Sequence, residues 1–565
     1  MNRAIHRMPE GVRANEGLPG GGPAYDAIVA GGGTAGAVCA IVLAESGASV
    51  LVVERLNCLG GTGIAGQIEG YYYGSRGGLY EALDAESKAY EPWGYTPSGM
   101  SNYNAVLKRR VLEGRLNRAG AKIAYEADLT GVVMEGARVV GVEYAQDDGR
   151  HTAYAQVVVD ATAEGYVCLL AGAEYELGRG SDGKPQPYSA VRTVLAENPL
   201  RVGHAYSDTG YGDPTDPEQY AKAVLSAALY DNYLLEDYGK GNRLLCMSQL
   251  VGMREGPLVV GEERLRLADI VDGKNPTENI LFTAYSNADN HGKDMAFENE
   301  PQQDWMIGAS LWGLNFTVNV PMGVVMPKGI DGLLMAGRMI SVDHDLASCI
   351  RMERDVQKCG EAVGRLASEA IRRKVPVRDV PYEALEPALR QSGCLLDANA
   401  VGFIDSRVAN GQGRVRFPET LAEIRAGLAG AQPGMAMWKV RTWEDKAALY
   451  PWLESAEEHL AKHTAMALAL SGDAAGAEIL MDCVKARDPF IPRTSRKYNM
   501  LRGAAALYLL GRIAHAPALD VILDVVEHWQ AIEPEDFVTD EFLGDEEEVR
   551  FQYLSQGIAA ALKIA

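Results

Sequence analysis

The sequence predicts an α/β fold over residues 25–375, followed by an all-α part over residues 376–565. Two observations lead to this prediction. Apolar runs at 26–30 and 49–53, which suit strands buried on both faces, flank a helical pattern at 37–46, and this is the order of a βαβ unit. From residue 376 onward, three closely spaced prolines mark a boundary and the pattern becomes helical.

The other elements of the α/β part follow from the same periodicities. They are a helix at 106–119, antiparallel strands at 123–133 and 138–144, a buried strand at 156–159, a strand at 332–336 and a helix at 353–373.

The composition excludes several classes of protein. The 54 Lys and Arg residues against 76 Asp and Glu residues leave a net charge of −22, so neither a nucleic-acid partner nor an anionic membrane surface is predicted. No apolar stretch reaches the ~18 residues that span a bilayer. The eight cysteines form no CxxC pair, so no disulfide framework or metal site is predicted and a cytoplasmic location is expected. Residues 1–24 show no hydrophobic period and no secretory signal, and are predicted to be a flexible tail.

A glycine-rich turn between the first strand and the first helix predicts a Rossmann-like nucleotide site. Gly31, Gly33 and Gly36 have the GxGxxG spacing. The first glycine permits a tight turn, the second lets backbone N–H groups approach a diphosphate, and the third lets the helix pack close to the strand. Glu54 ends the next strand, at the spacing that places a carboxylate on the ribose hydroxyls of an adenine dinucleotide.

The residues after Glu54 indicate which dinucleotide is bound. A second glycine pair, Gly60 and Gly61, is followed by Thr62. Here the chain resembles flavoproteins of the glutathione-reductase and fumarate-reductase type, in which such a pair lies along the pyrophosphate and ribitol of FAD. In the disulfide reductases of that type two redox cysteines follow the threonine. This sequence has Gly63 at that point, so dithiol chemistry is not expected.

Later segments resemble a family of FAD-dependent oxidoreductases that often accompanies carbohydrate-degrading genes. These segments are 160–165 with 171–173, the Arg-Glu element and the glycine that follows it at 252–261, the stretch 332–341, and the small residues of a helix at 360–364. The resemblance covers residues 25–373, and a helical tail also occurs in that family. Two departures stand out: Ala163 replaces the usual glycine, and the stretch 351–353 lacks the usual proline and threonine.

The resemblance implies a bound FAD and a domain order. The expected order is the flexible tail (1–24), a first part of the FAD-binding domain (25–190), an inserted α+β substrate domain (191–311), a second part of the FAD-binding domain (312–375) and a helical domain (376–565). The residues expected to contact FAD are Gly31, Gly33, Thr34, Ala35, Gly36, Glu54, Arg55, Gly60, Gly61, Thr62, Ala161, Thr162, Gly337 and Arg338. Helix pairs in the last domain recur at a period near 40 residues, which suggests a HEAT-like repeat, with an ordinary helical bundle as the alternative.

Three side chains are candidates for the chemistry. A flavin carries the electrons, so the protein must handle one proton, and histidine is the usual residue for this near neutral pH. His344 is a candidate acid–base or substrate ligand, and the alternative is a structural residue bonded to Asp343, Asp345 or the backbone. His291 lies in a polar loop, with a solvated loop as the alternative. Arg351 is a candidate ligand of the flavin or of an anionic substrate.

Two further groups belong to the region of the predicted substrate site. Arg254 and Glu255 are a candidate ion pair, with a purely structural pair as the alternative. The tyrosines at 71–73 suit stacking and hydrogen bonding to a polyol, and the alternative places them in the core.

Three hypotheses of function follow. The leading one is an FAD-dependent oxidoreductase that transfers a hydride between flavin N5 and a small polar substrate, such as a sugar or another alcohol, with an unknown electron acceptor. The second is a reductase of an unsaturated carboxylic acid, with Arg254, Arg338 and Arg351 as carboxylate ligands. The third is a flavin-containing binding module whose helical tail recruits a protein partner or self-associates.

Overall fold

The structure is a computed structural model, and it describes residues 15–16, 22–90, 103–197, 200–229, 241–292, 294–397, 400–405, 414–492, 499–532 and 546–565. Most of the predicted flexible tail, residues 1–24, lies outside the described residues.

The chain forms two compact units. The first comprises Met1–Ser286 and Thr317–Val401, and the second comprises Asn287–Phe316 and Gly402–Ala565. The segment 287–316 groups with the C-terminal helices, whereas the sequence analysis assigns most of it to the substrate domain. Its long-range apolar contacts explain the grouping, because the buried ring of Trp305 packs edge-on against Trp438 with centroids 4.9 Å apart. The five-part domain order remains a prediction.

The first unit holds a mixed sheet, two smaller sheets and the helices that pack on them. Its strands are β1 (Asn15–Glu16), β2 (Ala24–Ala30), β3 (Val50–Val53), β4 (Lys122–Ala124), β5 (Asp128–Glu135), β6 (Arg138–Gln146), β7 (Gly149–Asp160), β8 (Tyr175–Glu176), β9 (Tyr188–Glu197), β10 (Leu200–Gly210), β11 (Asn242–Met247), β12 (Leu258–Val259), β13 (Ile280–Ser286) and β15 (Leu333–Met335). Its helices are α1 (Thr34–Glu45), α2 (Leu79–Ala89), α3 (Ala105–Arg118), α4 (Tyr166–Leu170), α5 (Pro217–Leu229), α6 (Leu267–Val271), α8 (His344–Ile350), α9 (Glu353–Arg373) and α10 (Glu386–Ser392). The boundary between the units falls inside β14 (Leu314–Pro321).

The main sheet has the strand order β1-β5-β6-β7-β2-β3-β4, and β15 also pairs with β7. Strand β2 lies parallel to both β3 and β7, with Ala30 opposite Val53 on one side and Asp160 on the other. Residues 27–30 and 50–53 are buried, as continuous apolar runs in a parallel sheet should be. The carboxyl ends of β2, β3, β7 and β15 therefore meet at one edge, where ligands of open α/β sheets bind.

The predicted antiparallel strands are present, but the first of them is divided. The run predicted at 123–133 forms two strands, because Glu126 adopts a positive φ of 51° between them. Strand β4 pairs parallel with β3, and β5 pairs antiparallel with β6.

Helix α9 begins and ends at the predicted residues and packs closely on α1. A Cβ atom at Gly360 would lie 2.1 Å from the carbonyl oxygen of Ala35, and one at Gly364 would lie 2.9 Å from that of Cys39. The two glycines thus bring α9 against helix α1.

A separate antiparallel sheet has the order β10-β9-β11. Val202 lies opposite Leu195, and His204 lies opposite Thr193. Helix α5 is amphipathic and packs its Ala223 with Tyr188 of β9 in a small apolar cluster.

The second unit is mainly helical. Its helices are α7 (Glu300–Gln303), α11 (Leu421–Ala429), α12 (Gly434–Val440), α13 (Glu458–Leu470), α14 (Ala477–Lys485), α15 (Arg502–Arg512), α16 (Leu519–Glu527) and α17 (Glu546–Ile564), and its strands are β16 (Phe403–Asp405) and β17 (Arg414–Val415). Helices are present at the predicted positions, and α13 packs on α14, whereas α15 packs mainly on α14 and α17 and not on α16. The HEAT-like repeat stays a prediction. Among the helices that the structure describes, none is both long and apolar enough to cross a membrane.

Candidate functional site

The glycine-rich turn joins the end of β2 to helix α1. Gly31 has φ of +91°, which suits glycine, and its N–H donates a 2.8 Å hydrogen bond to the carbonyl of Val53. A Cβ atom at Gly31 would lie 2.4 Å from the carbonyl oxygen of Ala161, and one at Gly36 would lie 1.9 Å from that of Gly31. Any larger residue at these two positions would push the turn away from the neighbouring strands.

The second glycine pair packs against this turn. The N–H of Gly60 donates a 2.8 Å hydrogen bond to the carbonyl of Gly32, and the hydroxyl of Thr34 donates a 3.3 Å bond to the carbonyl of Gly60. A Cβ atom at Gly61 would lie 2.9 Å from Cα of Gly33. The two loops that the sequence analysis singled out are therefore in direct backbone contact.

Space is left in front of Gly33. A Cβ atom added there would meet no atom of the described residues closer than Cα of Gly61, at 3.9 Å. Gly33 is the N-cap of α1 and provides no side chain to the N–H groups of the first turn, which includes Thr34, Ala35 and Gly36. Free N–H groups and the helix dipole make such an end a site for an anion.

Glu54 lies directly after β3 and holds the glycine turn. Its Oε2 accepts a 2.6 Å hydrogen bond from the N–H of Gly32, and its Oε1 accepts a 2.8 Å bond from the N–H of Leu56. The side chain is buried. Burial raises the pKa of this carboxyl, and the N–H groups of Leu56 and Gly32 oppose the rise. Each oxygen keeps a second lone pair that can accept a hydrogen bond from a ribose hydroxyl.

Asp160 organises the loop after β7, a role that the sequence analysis did not assign. Its Oδ1 accepts hydrogen bonds from the N–H and the hydroxyl of Thr162, at 3.1 and 2.7 Å, and its Oδ2 accepts one of 2.9 Å from the N–H of Cys168. Its carbonyl accepts a 2.8 Å bond from the N–H of Ala336, next to β15. Asp160 therefore fixes Ala161 and Thr162 beside the glycine turn.

Ala163 adopts a left-handed backbone with φ of +71°. This conformation is unfavourable for a residue with a Cβ atom, and the glycine usual in the resembling family would adopt it freely. Ala163, which stands where the resembling family usually has glycine, therefore carries local backbone strain.

Arg338 follows β15 and Gly337, and it pairs with a carboxylate of the loop after β7. Its guanidinium donates a 2.6 Å hydrogen bond to Glu164, and both side chains are largely buried. Its Nε is buried and has no hydrogen-bond partner among the described residues. Arg55, next to Glu54, lies over the ring of Tyr220 at 5.8 Å.

Two of the three catalytic candidates belong to the first unit, and the third belongs to the second. His344 is the first residue of α8, and its Nδ1 lies 2.9 Å from Oε1 of Glu255, with both side chains buried. Glu255, predicted to pair with Arg254, therefore holds His344. Arg351 lies between α8 and α9, in the same unit. His291 belongs to the second unit, where its Nε2 lies 3.2 Å from Oδ2 of Asp289.

The sequence did not mark the buried carboxyl group at the start of α9 as functional. Glu353 begins α9 and accepts a 2.8 Å hydrogen bond from the hydroxyl of Tyr103. A Cβ atom at Gly63, just past the second glycine pair, would lie 2.7 Å from Oε1 of Glu353. The lack of the usual proline and threonine in the stretch 351–353 was visible in the sequence, but nothing local signalled a partner 250 residues away.

One face of the β10-β9-β11 sheet adjoins the loop that follows the second glycine pair. The hydroxyl of Thr193 donates a 2.7 Å hydrogen bond to Gln67, a residue of this loop with φ of +56°. On the neighbouring strand β10, the same face carries Leu200 and Val202, which are 76% and 54% exposed. We call this surface the open sheet face, defined by Thr193, Leu195, Leu200, Val202 and His204.

Parallel strands with a glycine turn at their carboxyl ends, and an acidic residue directly after β3, are the pattern of a dinucleotide-binding α/β protein. The family model described as FAD dependent oxidoreductase matches residues 26–240 and 230–389, and the chain belongs to this family. Membership of this family indicates FAD as the cofactor.

Curated relatives are similar over part of the chain. Digeranylgeranylglycerophospholipid reductase 1 of Methanopyrus kandleri is 27% identical over 206 residues, which cover 34% of this chain and 52% of that protein. Thiamine thiazole synthase of Aeropyrum pernix is 36% identical over 120 residues, which cover 21% of this chain and 42% of that protein. The chain thus spans about half the length of the curated relatives it matches. A solved structure, a geranylgeranyl bacteriochlorophyll reductase-like protein of Thermoplasma acidophilum, aligns with a TM-score of 0.35 and 15% identity over 66% of this chain and 85% of that one.

Proposed function

We propose that this oxidoreductase holds FAD at the β2-α1-β3 crossover and exchanges a hydride between flavin N5 and a carbon atom of its substrate. The observation that carries the proposal is the open space in front of Gly33, at an uncapped helix N-terminus and next to Glu54. A bound flavin supplies the electron-transfer chemistry, and the protein supplies binding, orientation and a proton.

The residues of the crossover suit each part of the cofactor. The N–H groups of α1 face the position of a diphosphate, Glu54 has lone pairs for the ribose hydroxyls, and the orphaned Nε of Arg338 has a hydrogen to donate. The residues proposed to contact FAD are Gly31, Gly33, Thr34, Ala35, Gly36, Glu54, Arg55, Gly60, Gly61, Thr62, Ala161, Thr162, Gly337 and Arg338.

His344 is proposed as the residue that moves the substrate's proton. Glu255 fixes the ring through Nδ1, as the orienting carboxylate does for a general base. Glu255 is itself held by the N–H groups of Gly178 and Gln186, at 3.2 and 2.8 Å. On the basis of its residue type, Arg351 is kept as a candidate ligand of the flavin or of an anionic substrate. His291 is kept as a candidate for the chemistry on the same basis.

Two classes of substrate are candidates. A sugar or another alcohol rests on the family resemblance alone, because the relatives named above do not support it. The open sheet face favours a second candidate, a reductase of a carbon–carbon double bond, since its exposed leucine and valine suit an apolar chain better than a polyol. The name of a curated relative, digeranylgeranylglycerophospholipid reductase 1, agrees with this candidate, and an unsaturated carboxylic acid falls within it.

An anaerobic assay on the full chain distinguishes these candidates. Sugars and alcohols that act as substrates should bleach the visible absorbance of oxidised FAD. If the chain is a double-bond reductase, dithionite-reduced enzyme should instead be reoxidised by unsaturated compounds, and faster by those with long apolar chains. Replacing Val202 by Asp should slow the reaction with long chains more than that with short ones. A protein that binds FAD but responds to no compound in either direction would favour the binding-module hypothesis.

A further inference from the structure

Glu353, at the start of helix α9, has a carboxyl group of which only one oxygen accepts a hydrogen bond from the described residues. Oε2 of Glu353 accepts the 2.8 Å hydrogen bond from Tyr103, whereas Oε1 is buried and has no hydrogen-bond partner among the described residues. An ionised carboxylate normally fills its lone pairs when it is removed from water. The orphaned oxygen therefore indicates a group that is not held permanently as an anion.

The hydrogen bonds around Tyr103 allow two arrangements. Its hydroxyl lies 2.8 Å from Glu353, 3.2 Å from the carbonyl of Gly63 and 3.4 Å from that of Ile68, yet it has one hydrogen to donate. When Glu353 is ionised, the phenol donates to the carboxylate. When Glu353 carries a proton, it can donate that proton to the phenol oxygen, and the phenol can turn to the carbonyl of Gly63.

The groups that face Glu353 leave its charge poorly compensated. Lys108 lies 3.9 Å over the ring of Tyr103, but its ammonium is paired with Asp84 at 2.9 Å. Glu69 and Asp84 add negative charge. The titratable groups that interact with Glu353 are Glu69, Asp84, Lys108, Tyr71, Tyr103 and Tyr206, and Arg354 follows it in α9 over the ring of Tyr71. Burial is the main cause that raises the pKa of Glu353 to about 7, and Lys108 and Tyr103 oppose it.

The location of this carboxyl links it to the oxidoreductase site. Oε1 of Glu353 abuts Gly63, which ends the short helical turn Gly61–Gly63 that begins in the second glycine pair. Arg351, a candidate ligand of the flavin, precedes Glu353 by two residues. Negative charge that arrives on this side of the site will raise the proton affinity of a neighbouring carboxyl.

We propose that Glu353 is a positioning residue that takes up a proton when the enzyme is reduced and releases it on reoxidation. This inference rests on the proposed function. Two electrons from the reductant add negative charge to the cofactor, and one proton from solvent binds to the carboxylate of Glu353. The carboxyl then donates to Tyr103, and the site gains two electrons and one additional proton. Reoxidation reverses both changes.

The sign of the effect defines a pH window. Below pH 7 the carboxyl is protonated in both redox states, so no additional proton is taken up. Above this pH it is ionised in the oxidised enzyme and becomes protonated on reduction. The midpoint potential should therefore fall more steeply with pH above 7, by one additional proton per two electrons, until the carboxyl is ionised in both states.

The experiment is a spectroelectrochemical titration of the FAD-loaded full chain over a range of pH, compared with Glu353→Gln. The two proteins should have similar potentials below pH 7, and the variant should have the higher potential above it, without the steeper segment. Tyr103→Phe should move the steeper segment to higher pH, because the ionised carboxylate loses its donor. Glu81→Gln, at an exposed carboxyl of α2, should leave the titration unchanged.

The outcomes separate the two proposals. If Glu353→Gln fails to fold, the titration of Tyr103→Phe tests the role of Glu353 instead, through the pH range of the steeper segment. Wild-type protein that binds FAD without a steeper segment, or a variant that retains it, would overturn the role of Glu353 and leave the proposed function intact. Wild-type protein that binds no FAD would overturn both.

Discussion

Glu54 and Gly32 are joined by a 2.6 Å hydrogen bond from the backbone N–H of the glycine to the carboxylate. The bond ties the end of β3 to the glycine turn, so that one side chain fixes the shape of the turn and leaves lone pairs for a ribose. The proposed contact of the same carboxylate with the ribose would connect folding of the βαβ unit with recognition of the cofactor.

Glu54→Gln should weaken both functions of this side chain. The two oxygens accept from two different N–H groups, and an amide keeps one oxygen, so its NH₂ group must face a donor. We expect a loss of about 1–3 kcal/mol in the free energy of unfolding, from one unsatisfied buried N–H. FAD should bind on the order of 10-fold or more weakly, because a charge-assisted bond to the ribose is also lost. Urea unfolding and fluorescence titration with FAD measure the two effects.

The matched control for this prediction is Glu45→Gln, at a partly exposed carboxyl at the end of α1. It should change neither quantity measurably, because surface ion pairs contribute little. Equal behaviour of the two variants would refute the dual role of Glu54.

Ala163→Gly should stabilise the protein slightly or leave it unchanged. The substitution relieves a left-handed backbone strain of about 1–2 kcal/mol, which offsets the roughly 0.4–1 kcal/mol that greater freedom of the unfolded chain costs. Ala153→Gly, in the middle of β7, is the control and should destabilise by about 0.5–1 kcal/mol. Chemical denaturation compares the two, and an Ala163→Gly variant as unstable as the control would argue against strain at this position.

The second unit should lose stability in acid through His463. This ring is buried, its Nδ1 lies 2.7 Å from the carbonyl of Leu428, and its Nε2 lies 3.3 Å from the guanidinium of Arg502. Only a neutral ring can donate to the carbonyl and accept from the guanidinium at once. Burial lowers the pKa of His463 from 6.5 to about 3, and the bond to Leu428 opposes this.

The pH dependence follows from the direction of that shift. The stabilisation is complete above pH 6.5 and is lost as the pH falls toward 3, because the unfolded chain then binds one proton more. The slope should approach 1.4 kcal/mol per pH unit, the value of about one proton. His463→Gln should flatten the slope below pH 6.5, whereas His528→Gln, at an exposed histidine, should not. Urea unfolding at several pH values measures it, and an unchanged slope in His463→Gln would contradict the assignment.

The sequence could predict the elements whose signals are local. The crossover from β2 to β3 and the bounds of α9 follow from apolar runs, a glycine spacing and a helical period within about 20 residues each. Contacts between distant segments could not be predicted in this way. His344 meets Glu255 across 89 residues, and Glu353 meets Tyr103 across 250, with no periodicity to connect them.

The same limit explains the differences in the fold. The division of the predicted strand at 123–133 depends on a backbone reversal at Glu126, which no glycine marks. The grouping of 287–316 with the C-terminal helices depends on the packing of Trp305 against Trp438. Both are outcomes of tertiary packing, which overrides local propensity.

The most direct test of the account is the FAD content of Gly33→Val. A branched side chain at this position meets no described atom within 3.9 Å of its Cβ, and the backbone φ of −68° accepts it, so the chain should fold. The side chain would, however, fill the space that we assign to the diphosphate. We predict that wild-type protein and the control Gly114→Ala, on α3, bind one FAD per chain, and that Gly33→Val, with unchanged circular dichroism, binds none. A folded Gly33→Val variant that retains FAD with wild-type affinity would contradict the assignment of the cofactor to this crossover.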